Sequence, residues 1–280
     1  MKVEQVTPSL AYHGEGPVWS DAWGGLRWLD MLAGDVLSLA ADGTVDRQHI
    51  DTIVAAIRPR REGGAVLAVE RGFALQDPDG TVATFRPLWN EASRLRMNEG
   101  GCDPDGRFYA GSLGYDLTPG AGSLYRLDPD GSTTIVIDDV TISNGLGWSP
   151  DGSRAYFVDT ATDRIDVFEY DGEHGLSGRQ TFADAPGGPD GLTVDAEGGV
   201  WVAMYGAGCV RRYGPEGTLD EIVELPVTKA TACTFGGPGL DQLFITTSRE
   251  HLEEDAEPQA GALFVCTPGV GGLPTLTFAG

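Results

Sequence analysis

The turn phrase DPDG occurs at 77–80, 103–106 and 128–131, and variants follow as SPDG at 149–152, DAEG at 195–198 and GPEG at 214–217. Proline presets φ for the first central position of a β-turn, Asp tolerates the next, and Gly takes φ > 0. Each copy therefore predicts a hairpin turn. Around these turns lie short runs rich in β-branched and aromatic residues: GLRWLDM (25–31), AVLAVE (65–70), RFYAGSL (107–113), RAYFVDT (154–160), GVWVAMY (199–205) and QLFITTS (242–248). Their starts recur every 40 to 47 residues. Further strand-like runs such as GSLYRLD (122–128), RIDVFEY (164–170) and GALFVCT (261–267) complete the units. Six units of this period predict an all-β chain, a six-bladed β-propeller with four antiparallel strands per blade. Blades of about 47 residues use up the 280 present, so 1–280 is expected to be one domain.

Charge narrows the partners. Lys and Arg number 19 against 42 Asp and Glu, a formal net charge of −23. A phosphate binder needs clustered basic residues, whereas the only lysines are Lys2 and Lys229 and the arginines are scattered. Nucleic acids and acidic membrane surfaces are therefore poor partners; cations and neutral or weakly anionic small molecules fit. No stretch approaches the roughly 18 continuous apolar residues of a membrane span, and MKVEQVTPSLAYHGEG lacks the apolar centre of a signal peptide. The expectation is a soluble, cytoplasmic protein, a monomer or a weak homo-oligomer. Cys102, Cys209, Cys233 and Cys266 form no CxxC pair and read as reduced, buried strand residues. The four histidines are also dispersed, so a bound metal would be held mainly by carboxylate and amide oxygens.

In a propeller the innermost strand of each blade lines the central channel, so one residue per blade can point into a shared space. Alignment of the units puts Glu15, Ile57, Asn98, Asn144, Asp190 and Ala232 or Cys233 at comparable positions. Four of these carry oxygen and have glycine neighbours, in GEGP (14–17), NEGG (98–101), SNGLGW (143–148) and PDGL (189–192). Asn-Gly and Asp-Gly are ordinary hairpin dipeptides. Here, however, they keep phase with the repeat and are followed by apolar strand residues, and Glu15 sits in no turn formula. Two carboxylates and two amides converging on one point form a site for one divalent cation: Ca²⁺, Mg²⁺ or Mn²⁺, or the borderline ions Zn²⁺ and Fe²⁺.

HGEGPVW (13–19), LRMNEGGCDPDGRFYAGSL (95–113), ISNGLGWSPDG (142–152), PDGLTVDAEGGVWVA (189–203) and CTFGGPGLDQLFITTS (233–248) together resemble the regucalcin, gluconolactonase and luciferin-regenerating enzyme family. The likeness spans nearly the whole chain in order. It implies that the Glu of GEGP, the Asn of SNG and the Asp of PDG hold the cation, here Glu15, Asn144 and Asp190. It implies that the Arg and Asn of the R-x-N-D/E-G motif, here Arg96 and Asn98, contact substrate. It further implies an acidic residue on sugar hydroxyls, for which Asp116, beside Tyr115, is the nearest match; SLGYDLTPG departs from the family spacing there.

The activity this implies is a metal-dependent lactonase that opens a sugar-acid lactone or similar small lactone, the cation acting as Lewis acid and Asp190 as general base. Arg96 would hold ring hydroxyls or the developing carboxylate, and Asn98 would orient substrate. Two alternatives stay open: a non-catalytic cation- or ligand-binding regulatory propeller, and an esterase or organophosphate hydrolase on the same scaffold. Serine-hydrolase chemistry has no GxSxG to support it. His13 reads as packed under the first blade, Trp19, Trp28, Trp148 and Trp201 as core between blades, and 251–258 as a solvated acidic loop.

Overall fold

A computed structural model describes residues 1–84 and 87–280, Thr84 by its backbone alone. Six four-stranded sheets stand in a ring, each an antiparallel meander. Their inner strands are Gly14–Ser20, Val54–Pro59, Leu95–Cys102, Ser143–Trp148, Pro189–Val194 and Ala230–Gly236. Each packs against the inner strand of the next blade, and the first packs against the sixth. Regular structure besides strands amounts to three single-turn 3₁₀ segments among the described residues.

Burial follows the radius of the ring. The second strands Phe108–Gly114 and Val200–Met204 are buried at every position, as befits strands covered on both faces by neighbouring blades. The outermost Thr133–Val140 and Leu219–Glu224 are largely exposed. The core consists of layers between blades; one joins Trp201, Val210 and Val223 of the fifth blade to Phe235, Ile245 and Phe264 of the sixth. Trp28 and Trp201 are fully buried in such layers, where truncation to Ala costs about 3–5 kcal/mol. All four cysteines are free and buried.

The repeated turns do what their sequence requires: Gly80, Gly106, Gly131, Gly152, Gly198 and Gly217 all have φ between 71° and 87°. Three copies join the first strand of a blade to the second, and the copies at 77–80, 128–131 and 214–217 join the third to the fourth. In an up-and-down meander both connections fall at the same end of the ring, so the phrase marks one end of the propeller. The sixth blade is closed from both chain ends. Its outer strand is Glu4–Gln5, paired with Val265 and Phe264, a contribution with no counterpart in the repeat pattern.

Candidate active site

Each inner strand carries an irregularity near its start, where one extra residue bends the strand and aims a side chain into the channel. Asn98–Glu99 oppose Gly111, Asn144–Gly145 oppose Val158, and Asp190–Gly191 oppose Ala203. In the first blade the bulged pair is Gly16–Pro17, so Glu15 projects from one position earlier and its longer side chain makes up the difference. In the second and sixth blades the extra residues are Ala55 and Thr231. These, and not Ile57 and Ala232 or Cys233, are the bulge positions there; alignment by strand starts had no means of counting an unpaired residue.

The bulges bring Glu15, Asn98, Asn144 and Asp190 to one level, each exposed by no more than 6%. A chain of hydrogen bonds orders them. Arg96 Nη1 donates to Asn98 Oδ1 (2.7 Å), Asn98 Nδ2 donates to Asn144 Oδ1 (2.8 Å), and Asn144 Nδ2 donates to Thr160 Oγ1 (2.6 Å). Thr160 Oγ1 donates in turn to the carbonyl of Pro189, the residue before Asp190 (2.7 Å). Oε2 of Glu15 accepts from the Gly16 amide (3.1 Å), while Oε1 lies 3.7 Å from His13 Nε2. Two amides thus have fixed orientations, with both carboxylates beside them.

The electrostatics are unbalanced. Burial, and then the charges of Asp190 and Glu99, push the Glu15 carboxyl well above its usual range. Burial and the charge of Glu99 do the same to Asp190, against the pull of Arg96. Burial pushes Glu99 upward too, and its Oε2 has no hydrogen-bond partner. Three carboxyls crowd the channel; Arg96, itself desolvated, acts on Glu15 and Asp190, Arg58 acts on Glu99, and neither offsets the cost of burial. His13 is neutral: burial lowers its pKa to about 4. A hard divalent cation fits such a set, since it supplies the missing charge and takes carboxylate and amide oxygens as ligands. Among the described residues no three His, Cys, Asp or Glu side chains converge in a metal-holding cluster; Glu15 and Asp190 are buried here with the amide of Asn144.

Asp116 lies elsewhere. It sits on an exposed turn, where Oδ1 accepts from the Thr118 amide (3.2 Å) and hydroxyl (2.9 Å) and Oδ2 is 3.8 Å from Arg94 Nε. The Asx turn that Asp-Leu-Thr favours holds the carboxylate locally. The neighbouring Tyr115 hydroxyl donates to Glu70; burial and that bond keep it protonated, and Tyr115 stands near Arg96. Four residues at this mouth were absent from the sequence reading as site residues. Thr160 is the last residue of the run RAYFVDT, and Glu99 is the residue after Asn98. Glu250 accepts from the Tyr205 hydroxyl (3.1 Å) and lies 3.6 Å from His13 Nδ1, while Lys229 donates to the Glu250 carbonyl. Glu250 and Lys229 stand on connections outside the repeated motifs, so no period marked them.

The family described as SMP-30/Gluconolactonase/LRE-like region matches residues 13–249. The chain belongs to this family. Regucalcin of Oryctolagus cuniculus is 35% identical over 296 residues, covering 100% of this chain and 99% of that protein. Among solved structures, a calcium-binding protein, regucalcin, from Agrobacterium tumefaciens matches with TM-score 0.90 and 31% identity over 98% of this chain and 95% of that one. A gluconolactonase from Xanthomonas campestris matches with TM-score 0.78 and 25% identity over 95% and 89%. Membership of the SMP-30/gluconolactonase family accords with the ring of six blades and puts either a lactonase or a calcium-binding propeller in view. No helix among the described residues is long and apolar enough to cross a membrane.

Proposed function

We infer that this protein is a metal-dependent lactonase that opens the ring of a sugar-acid lactone or a similar small lactone. The observation that carries the reading is the joining of two unlike functions at one mouth. Two buried carboxylates with an amide suit a divalent cation, and the Arg96–Asn98–Asn144–Thr160 chain beside them suits an oxygen-rich substrate. A cation held by Glu15, Asn144 and Asp190 would supply Lewis-acid polarisation of the lactone carbonyl. Asp190 takes the proton from the water that attacks the carbonyl carbon, and a proton passes to the ring oxygen as its bond to that carbon breaks. Arg96, with one nitrogen spent on Asn98, offers its remaining donors to ring hydroxyls or the new carboxylate. Asn98, fixed between Arg96 and Asn144, orients the substrate.

The calcium-binding description of the Agrobacterium relative favours a second reading, a propeller that binds the ion without turnover. Arg96 separates the two: a simple ion site is weakened by a guanidinium at its rim, whereas an acyl-transfer site uses one. The test is hydrolysis of a panel of aldonolactones, followed by acid release, with wild type and Asp190→Ala. Wild-type turnover lost in a folded Asp190→Ala variant supports the lactonase. Unchanged kinetics in the variant removes Asp190 from the chemistry, and no turnover of any lactone favours the ion-binding reading.

A further inference from the structure

The channel has a second mouth. At the opposite end of the inner strands, on the side of the DPDG-type turns, lies a cavity of about 400 Å³ lined by the later residues of those strands and by the C-terminal segment. That segment crosses the mouth as a strap tied to five blades. The Ala196 amide donates to Gly271 O (2.9 Å), Gly272 to Leu240 O (2.7 Å) and Thr275 Oγ1 to Trp19 O (2.7 Å). Farther along, Phe278 donates to Pro59 O and Ala279 to Gly106 O, both at 2.9 Å. None of Glu15, Arg96, Asn144 or Asp190 lines this space.

Its walls mix apolar side chains, Val18, Leu146, Leu192, Leu273 and the Trp148 ring among them, with polar ones that include Glu99 and Asp151, the latter turned to Ser149 and Ser153, and its one basic side chain among the described residues is Arg58. Arg58 is partly buried, and the one hydrogen bond it makes among the described residues runs from Nη1 to its own neighbour's carbonyl, Ile57 O (2.7 Å). No carboxylate forms an ion pair with it among the described residues; Glu99, also on the wall, acts on it only at a distance. A desolvated guanidinium normally spends its planar fork on a carboxylate or phosphate. Gly101 lies beside the fork, where a Cβ would stand in ordinary contact at 3.6 Å from Arg58 Nη2 and 3.5 Å from the Trp148 ring.

We propose that this cavity is a ligand site, distinct from the lactonase mouth, for a small organic monocarboxylate with an apolar body. Arg58 holds the acid group, and the apolar side chains of the wall hold the rest under the strap. One guanidinium with Glu99 nearby, in a chain of net charge −23, opposes a dianion such as phosphate, and the volume suits a molecule of roughly ten to twenty heavy atoms at most. The site shares none of the metal or substrate residues of the lactonase reading; Glu99 alone faces both, on the wall here and acting by charge on Glu15 and Asp190 there.

Benzoate and its neutral isostere benzamide are the probes, and the indole N–H resonance of Trp148, assigned by its loss in Trp148→Phe, is the readout by ¹H–¹⁵N NMR of the full chain. Benzoate should shift that resonance saturably and benzamide should not. Arg58→Met should weaken benzoate by about ten-fold or more, whereas Arg96→Met at the other mouth should leave it unchanged. A resonance that benzoate does not move, equal shifts from both probes, or loss of binding in Arg96→Met alone would each overturn the proposal. Should Arg58→Met fail to fold, the contrast between the two probes on wild type decides it.

Discussion

Asp190 and Glu15 carry the heaviest burden of any residues in the molecule. Both are buried and both have raised pKa values; the charge of Asp190 acts on Glu15, and that of Glu99 acts on both. Replacing Glu15 by Gln removes a charge but keeps the shape. Divalent-cation affinity, measured by calorimetry, should fall by about ten-fold or more. The same shifts set a pH dependence. A carboxyl whose folded pKa lies above its unfolded value stabilises the fold below the unfolded value and loses that contribution as pH rises through the folded one. His13 opposes this between about 4 and 6.5, where its depressed folded pKa makes stability rise with pH. The cation-free wild type should therefore lose thermal stability relative to Asp190→Asn as pH rises above about 4, the ordinary value for an Asp carboxyl, a comparison in which His13 and the buried thiols cancel. A pH dependence identical in the two proteins would mean that the shift belongs to other groups.

Single strands explain why these residues meet, and how far the sequence disclosed them. Glu15, Asn98, Asn144 and Asp190 were legible because each precedes glycine or a glycine pair in phase with the repeat. The bulges were not, since an unpaired residue leaves no trace in a hydrophobic pattern, and this displaced the second and sixth blades onto Ile57 and Ala232 or Cys233. Asp116 came from the family resemblance, where the spacing already departs, and in the structure its carboxylate is held by a local Asx turn with Thr118. The glycines beside the bulges have a packing task that the sequence could only hint at. A Cβ on Gly145 would stand 2.7 Å from both the carbonyl of Asp190 and the amide of Leu192. Gly145→Ala should therefore force the fourth and fifth blades apart at the cradle. We expect a destabilisation of about 1–3 kcal/mol by denaturant unfolding, together with weaker cation binding. A variant with wild-type stability and affinity would show that the blades do not need this close approach.

At the scale of the whole ring, period and turn chemistry announced six blades, and what escaped was the chain's use of its two ends. Residues 4–5 complete the sixth sheet, and 271–280 cross the far mouth; neither segment repeats anything else in the sequence. We take the closed ring to be one cooperative unit. Deleting residues 1–5 should lower Tm by several degrees, with a single calorimetric transition retained and kcat unchanged, because the outer strand lies far from the channel. Two separated transitions would contradict that view of the ring. The surplus of 42 acidic over 19 basic residues also divides at this scale: many acidic side chains serve exposed turns, such as Asp130 with Ser132 and Asp151 with Ser153, and a few are confined to the channel. That confined charge is what a cation would neutralise. The direct measurement is to strip the protein with a chelator, reload it with single divalent ions, and follow acid release from a panel of aldonolactones. The account predicts no turnover in the stripped protein and recovery with at least one ion; hydrolysis that survives stripping undiminished, or its absence with every ion, would contradict it.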